Sequence, residues 1–91
     1  MGMYMAELQF EWNENNTDHI ARHGVTPVEA EEVIARDPIV LQVQFRKGER
    51  RVLCAGRTVK GRAITVVYTI RKGRVRVVTA FPAKRRVREG L

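Results

Sequence analysis

The first apolar positions of the chain alternate with polar ones. In "ELQFEW", Leu8, Phe10 and Trp12 fall on one side and Glu7, Gln9 and Glu11 on the other, the period-two pattern of a half-buried strand. The pattern then turns helical. Asn13 is placed to cap a helix over "ENNTDHIARH", ended by Gly24 and carrying a thin apolar face of Ile20 and Ala21. A second helix starts at Thr26, with Pro27 at the first helical position and Glu29 completing a capping box. Ala30, Val33 and Ile34 form its buried stripe, and Asp37-Pro38 stops it.

From Pro38 to residue 81 the chain reads as strand. Lys47-Gly48, Lys60-Gly61 and Lys72-Gly73 punctuate it, glycine supplying the positive φ that tight hairpins require. The prediction is a four-stranded meander over 39–46, 49–57, 62–71 and 74–81. Pro82 then opens a short basic C-terminal helix within "PAKRRVREGL". No internal repeat or linker is visible, so residues 1–91 are read as one domain. The predicted class is α+β: two N-terminal helices packed on one face of a mainly antiparallel sheet, made of the N-terminal strand and the meander.

The hairpins assign faces. A two-residue Lys72-Gly73 turn pairs Thr69 with Arg76 and Arg71 with Arg74. That puts Ile64, Val66, Tyr68 and Ile70 on the other side with Val75, Val77, Thr79 and Phe81. The Lys47-Gly48 turn groups Leu41, Val43 and Phe45 with Val52 and Cys54. Joining the two apolar sets needs an odd-length loop, met by Val59-Lys60-Gly61 with glycine in the bulge position. One face is then an apolar core for the helices to cover. The other carries Gln42, Gln44, Arg51, Arg57, Thr65, Thr69, Arg71, Arg74 and Arg76, with Leu53, Ala55, Val67 and Val78 between them.

Charge sharpens this picture. Residues 1–37 hold eight acids and two bases, −6, and residues 38–91 hold fifteen bases and two acids, +13, within an overall net charge of +7. A surface of clustered arginines repels itself and calls for an anion, and the guanidinium fork fits phosphate better than an ammonium does. With 44% hydrophobic and 30% charged residues the chain is globular rather than disordered. No apolar run approaches the roughly 20 residues of a membrane helix. "MGMYMAELQFEW" has no basic region followed by an apolar stretch, so no signal peptide is expected. The single cysteine, Cys54, in the apolar run "VLCAG", cannot form an internal disulfide and reads as a buried strand thiol, which favours a reducing cytoplasm.

Most enzyme chemistries lack their parts. His19 and His23 stand at helical i,i+4 spacing but without the flanking Glu of a His-Glu-x-x-His site or any cysteine cluster, so no metal and no cofactor are expected. There is no phosphate-cradling glycine loop and no serine, which speaks against nucleotide hydrolysis and serine-based acyl transfer. RNA cleavage needs less, because the 2′-hydroxyl is a built-in nucleophile. The enzyme supplies positive charge to the phosphorane and proton transfers at two oxygens. Sheet arginines meet the first need; His23, Tyr68 or a lysine near the C-terminus can meet the second.

Four segments carry a family resemblance: "FEWNENN" (10–16), "RHGVTPVEAEEVIARDP" (22–38), "GRTVKGRAITVVYTIR" (56–71) and "RVRVVTA" (74–80). In order and content they resemble the BrnT toxins of bacterial type II toxin–antitoxin systems. The family pattern runs Phe-Glu-Trp-Asp then Asn, Lys-His-Gly-Val, Asp-Pro, Gly-Arg-Ser, Val-Tyr-Thr-x-Arg and Arg-x-Ile-Ser-Ala-Arg. The resemblance implies a RelE-like fold and RNA cleavage that arrests translation. It also implies a BrnA-like antitoxin, through which operator DNA is bound indirectly. By position His23 matches the family histidine, Arg57 the arginine of Gly-Arg-Ser, and Arg71 and Arg76 the later arginines. Arg22 stands where lysine is common, Thr79 replaces a serine, and Phe81 occupies the place of an arginine, for which Lys84 or Arg85 would have to substitute.

The expected catalytic residues are therefore Arg57, Arg76 and His23, with Arg51, Arg71, Arg74, Lys84 and Arg85 binding RNA. The competing readings are a non-catalytic toxin that binds RNA or blocks a protein target, and a DNA-binding module. The last is disfavoured because both helices before residue 38 are acidic and none fits the major groove.

Overall fold

The computed structural model describes residues 8–91. In chain order its elements are β1 (Phe10–Glu11), α1 (Glu14–Ala21), α2 (Pro27–Ala35), β2 (Ile39–Arg46), β3 (Glu49–Arg57), β4 (Ala63–Arg71), β5 (Arg74–Pro82) and α3 (Arg85–Glu89). The fold is α+β, with a five-stranded mixed sheet in the order β1-β5-β4-β3-β2. The meander is antiparallel, but β1 pairs with β5 in parallel and over two residues, Phe10 with Val75 and Glu11 with Arg76. The predicted first strand over "ELQFEW" is thus shorter than its alternation suggests, and Glu7 lies outside the described residues.

The local signals explain the elements. Asn13 and Asn16 exchange hydrogen bonds as a capping box at the start of α1. Thr26 and Glu29 do the same at α2, with Pro27 at its first position. Arg22 caps the end of α1, two residues before the expected helix end, and Gly24 turns the chain at φ 75°. Lys47-Gly48 and Lys72-Gly73 are two-residue turns with positive φ at both positions, and they seat Arg46 opposite Glu49 and Arg71 opposite Arg74. At the middle hairpin Thr58 N–H donates to the Arg62 carbonyl at 2.9 Å. This closes the three-residue loop Val59-Lys60-Gly61, with Gly61 at φ 88°.

The core joins Ile20 of α1, Val33 and Ile34 of α2, and Cys54, Ile64, Val66, Val75, Val77 and Ala80 of the sheet. α1 contacts β5, and α2 contacts β3 and β4. Two bulges correct the predicted faces. Tyr68 pairs with Val77 but Val67 with Thr79, so Val78 is the extra residue in β5. Beyond it the parity flips: Ala80 enters the core, and Thr79 and Phe81 move to the arginine-bearing face. In β2 the extra residue is Leu41, which puts Val40 rather than Leu41 beside Cys54. The helices also cover only part of the apolar face, since Phe45 and Ile70 on that face are exposed.

Candidate nucleic-acid interface

The site is built where α1 meets the edge of β5. Because β1 stops at Glu11, the Val77 carbonyl would be left on a bare edge. Asn16, 3% exposed, fills that place. Its Nδ2 donates to the carbonyls of Val77 at 3.1 Å and Glu11 at 3.0 Å, and its Oδ1 accepts from the Asn13 amide at 2.9 Å. This fixes α1 alongside β5. One turn later His19 faces a groove of about 330 Å³ that it lines with Asn15, Asn16, Arg76, Val78 and Thr79. A further turn on, the His23 ring meets that of His19 edge-on with centroids 5.7 Å apart, and that of Phe81 at 6.2 Å.

The bulge at Val78 makes this assembly possible. With regular pairing Thr79 and Phe81 would point into the core; with one residue inserted they share the open face with Arg76. Phe81 stands beside His23 as an aromatic surface on which a base can stack.

Along the same face lie the arginines. Arg76 sits in register between Glu11 on β1 and Thr69 on β4. Arg71 and Arg74 are directly opposite one another and exposed, a like-charged cross-strand pair that an anion would stabilise. Arg71, Arg74 and Arg76 form no ion pair with the described residues. Arg51 is held by Glu49 at 3.4 Å. Thr69 Oγ1 donates to the Arg50 carbonyl at 2.7 Å, fixing the β3–β4 edge of this surface.

Arg57 lies elsewhere. It pairs with Ala63 and Arg76 with Thr69, six residues along β4. At about 3.3 Å per residue that is roughly 20 Å along the sheet, with about 10 Å more across two strand spacings. Its Nη1 donates to the Gly61 carbonyl at 2.8 Å and its Nη2 to the Arg88 carbonyl of α3 at 3.3 Å. Lys84 and Arg85 are exposed at the start of α3, and Arg85 pairs with Glu89 at 3.0 Å. Of the residues expected from sequence, the structure therefore brings Arg51, Arg71, Arg74 and Arg76 onto one end of the open face. It places His23 beside Phe81, and Arg57, Lys84 and Arg85 at the other end.

Sequence reasoning weighed His19 only as a metal ligand and placed Thr79 in the core. The available signal was the break in alternation at Val77-Val78. Among the described residues no three His, Cys, Asp or Glu side chains converge. Burial pushes the Cys54 thiol up to about 11, so it is neither a nucleophile nor a ligand at neutral pH. Tyr68 stands on the core face, away from the groove, with its hydroxyl also pushed up, chiefly by burial. The groove thus combines an imidazole, a guanidinium and a hydroxyl, with a second imidazole and an aromatic ring beside it, a set suited to proton transfer beside a phosphate.

Residues 12–86 match a family model described as the ribonuclease toxin, BrnT, of type II toxin–antitoxin systems. No curated protein matches the chain.

Proposed function

The chain belongs to the BrnT family of ribonuclease toxins of type II toxin–antitoxin systems, and from that membership we propose that it is a metal-independent endoribonuclease of RelE-like fold. It cleaves RNA in the cytoplasm, inhibits translation, and is held in check by a BrnA-like antitoxin that carries it to operator DNA. The observation that carries this reading is the convergence of His19, Arg76 and Thr79 in one groove, with His23 and Phe81 at its end. A 2′-hydroxyl bound there attacks the adjacent phosphate. One imidazole takes its proton, another donor protonates the 5′-leaving oxygen, and Arg76 stabilises the phosphorane. Arg51, Arg71 and Arg74 hold flanking phosphates, and Phe81 stacks on a base. Lys84 and Arg85 add positive charge at the start of α3, and Arg57, bonded to the Gly61 and Arg88 carbonyls, holds the β3–β4 turn to α3.

Purified protein incubated with end-labelled RNA tests this. Cleavage unaffected by chelator, with 2′,3′-cyclic or 3′-phosphate products, is the expected result; activity lost to chelator and restored by magnesium overturns it. Phe81 in place of a family arginine favours a second reading, a toxin that binds RNA without cutting it. Translation arrest with no new RNA ends would select that reading.

A further inference from the structure

Away from the groove, exposed large apolar side chains cluster on one edge of the sheet. β2 is the last strand of the sheet, and of its eight residues five are exposed large hydrophobics: Ile39, Val40, Leu41, Val43 and Phe45. Phe45 is 74% exposed and Val43 43%. Val40, Val43 and Phe45 lie on the core side of the sheet, the side that also carries Ile70 at 57% exposure, whereas Ile39 and Leu41 line a second hollow with Val87 of α3. Next to this strand a cleft of about 500 Å³ opens over β3 and β4, lined by Arg50, Val52, Tyr68 and Ile70. Despite its bulge at Leu41, an apolar edge strand of this length is a surface that proteins in water normally blunt further.

Its backbone is available as well. A two-residue turn is flanked by a hydrogen-bonded pair, here Arg46 with Glu49, so Val43 and Phe45 direct their N–H and C=O groups away from β3 to the open edge. The rim is basic. Arg46, Lys47 and Arg50 border the strand, Lys72 stands in the turn of the next hairpin but one, beyond Ile70, and the acid at this rim, Glu49, is engaged by Arg51. Arg50 lies close enough to act electrostatically on the Tyr68 hydroxyl, so a cation and a phenol together mark the cleft mouth.

We infer that this edge docks a strand-forming segment of the antitoxin, apolar on the side facing Val43, Phe45 and Ile70 and acidic where it passes Arg46, Lys47 and Arg50. The inference rests on the toxin reading and locates its regulation on the surface opposite the groove. The segment adds a sixth strand to the sheet, its main chain supplying the edge hydrogen bonds and its alternate side chains the specificity. Charge complementarity selects this occupant over a second copy, because two copies would bring together rims of the same sign. Inhibition then acts through the docked chain's continuation across the arginine face, or by withholding the toxin from its target, and does not require the docking segment itself to fill the groove.

The test uses the toxin co-expressed with its cognate antitoxin, and the purified toxin alone. Phe45→Glu and Arg50→Glu both change exposed side chains remote from the groove. Each should leave RNA cleavage and growth arrest by the free toxin intact while weakening antitoxin binding by roughly thirtyfold or more. Val43→Pro, which removes an outward N–H, should do the same; if it fails to fold, the two glutamate variants carry the test. Free toxin should sediment as a monomer. Wild-type affinity in both glutamate variants overturns the inference while leaving the toxin reading in place. A free dimer abolished by Phe45→Glu replaces the antitoxin with a second copy. Altered RNA cleavage in Phe45→Glu assigns the edge to RNA and likewise overturns it. If the wild-type protein neither arrests growth nor binds its antitoxin, the toxin reading itself has failed.

Discussion

At the β3–β4 turn the guanidinium groups of Arg57 and Arg62 are taken up by the fold. Arg57 reaches the carbonyls of Gly61 and Arg88. Arg62 reaches the Gly24 carbonyl at 2.7 Å and both oxygens of Glu29 at 2.9 and 3.0 Å. At the β4–β5 end Arg71, Arg74 and Arg76 have no such partners among the described residues. The acidic half of the chain is drawn on in the same uneven way. Glu29, Glu31 and Glu32 bind Arg62, the Trp12 indole N–H and the Val59 amide, all on the α2 side. One sheet thus carries structural arginines at one end and, at the other, arginines that form no ion pair among the described residues. Residue type and net charge do not distinguish them; partners do. Only the second group keeps its whole guanidinium fork free of protein partners among the described residues, ready for phosphate.

The largest effects should break this symmetry of residue type. In the proposed mechanism Arg76 donates to the phosphorane, so Arg76→Ala should slow single-turnover cleavage by about a hundred- to thousandfold, roughly 3–4 kcal/mol, with stability unchanged. His19→Ala should cost at least about a hundredfold if its imidazole transfers a proton. Arg57→Ala should behave in the opposite way, with cleavage per folded molecule nearly retained and stability reduced by about 1 kcal/mol for the lost backbone bonds. Thermal unfolding beside single-turnover kinetics separates the two classes. If Arg57→Ala proves as damaging to cleavage as Arg76→Ala, at unchanged stability, the division between the two ends collapses.

Asn16→Ala comes next, because it joins structure to site. It leaves the Val77 carbonyl and the Asn13 amide without partners and should destabilise the protein by roughly 1–3 kcal/mol. It should also loosen α1 from β5, so cleavage should fall further than the lost folded fraction explains. Full kcat in the remaining folded protein would show that α1 needs no such pin.

Much of this architecture is legible in the chain, and the parts that are not share a physical cause. The Lys-Gly turns and the two capping boxes are local devices, each decided within four or five residues, and they appear where the residue types call for them. The bulges at Leu41 and Val78 are different. A single inserted residue reverses the face of everything beyond it, and alternation that merely breaks, as in Ile39-Val40-Leu41 or Val77-Val78, does not say which side the chain resumes on. That is why Thr79 and Phe81 are expected in the core and found beside the groove. Asn16 reads as a helix residue because its partner at Val77 is 61 positions away. The binding of Arg57 to α3 spans 31 positions and leaves no trace in any local pattern.

A smaller effect concerns the engaged end. Partial burial raises the pKa of Glu29, but the Thr26 amide and hydroxyl and the Arg62 guanidinium outweigh it and hold the carboxyl below its ordinary value of 4.5. A depressed carboxylate stabilises the fold fully above that value and loses the contribution as pH falls through it towards the lower folded value. Wild-type stability should therefore decline on acidification below about pH 5, and Arg62→Ala should flatten that decline. At neutral pH the same substitution should cost about 1 kcal/mol rather than more, because the pair is partly open to water. Urea midpoints at pH 7 and pH 4 measure both, and an unchanged acid slope in Arg62→Ala would remove Arg62 from the network.

The smallest effect separates residues within the free end. Arg74 stands beside the Lys72-Gly73 turn, exposed and opposite Arg71, whereas Arg76 is half-buried between Glu11 and Thr69. A mobile rim charge can attract phosphate without fixing it, so Arg74→Ala should weaken RNA binding by about 1 kcal/mol or less and barely change kcat. Its signature is in salt instead. Single-stranded RNA releases counterions with a slope of about −0.7 in log affinity against log salt per phosphate engaged. With about four arginines engaged the wild-type slope should be near −3, and Arg74→Ala should bring it near −2. Arg57→Ala, whose guanidinium is already bonded to backbone carbonyls, should leave the slope where it is. Filter binding of a short RNA from 50 to 300 mM salt, for example, resolves a difference of one contact. If Arg57→Ala flattens the slope as much as Arg74→Ala does, Arg57 exchanges its carbonyl partners for phosphate, and both ends of the sheet belong to one RNA track.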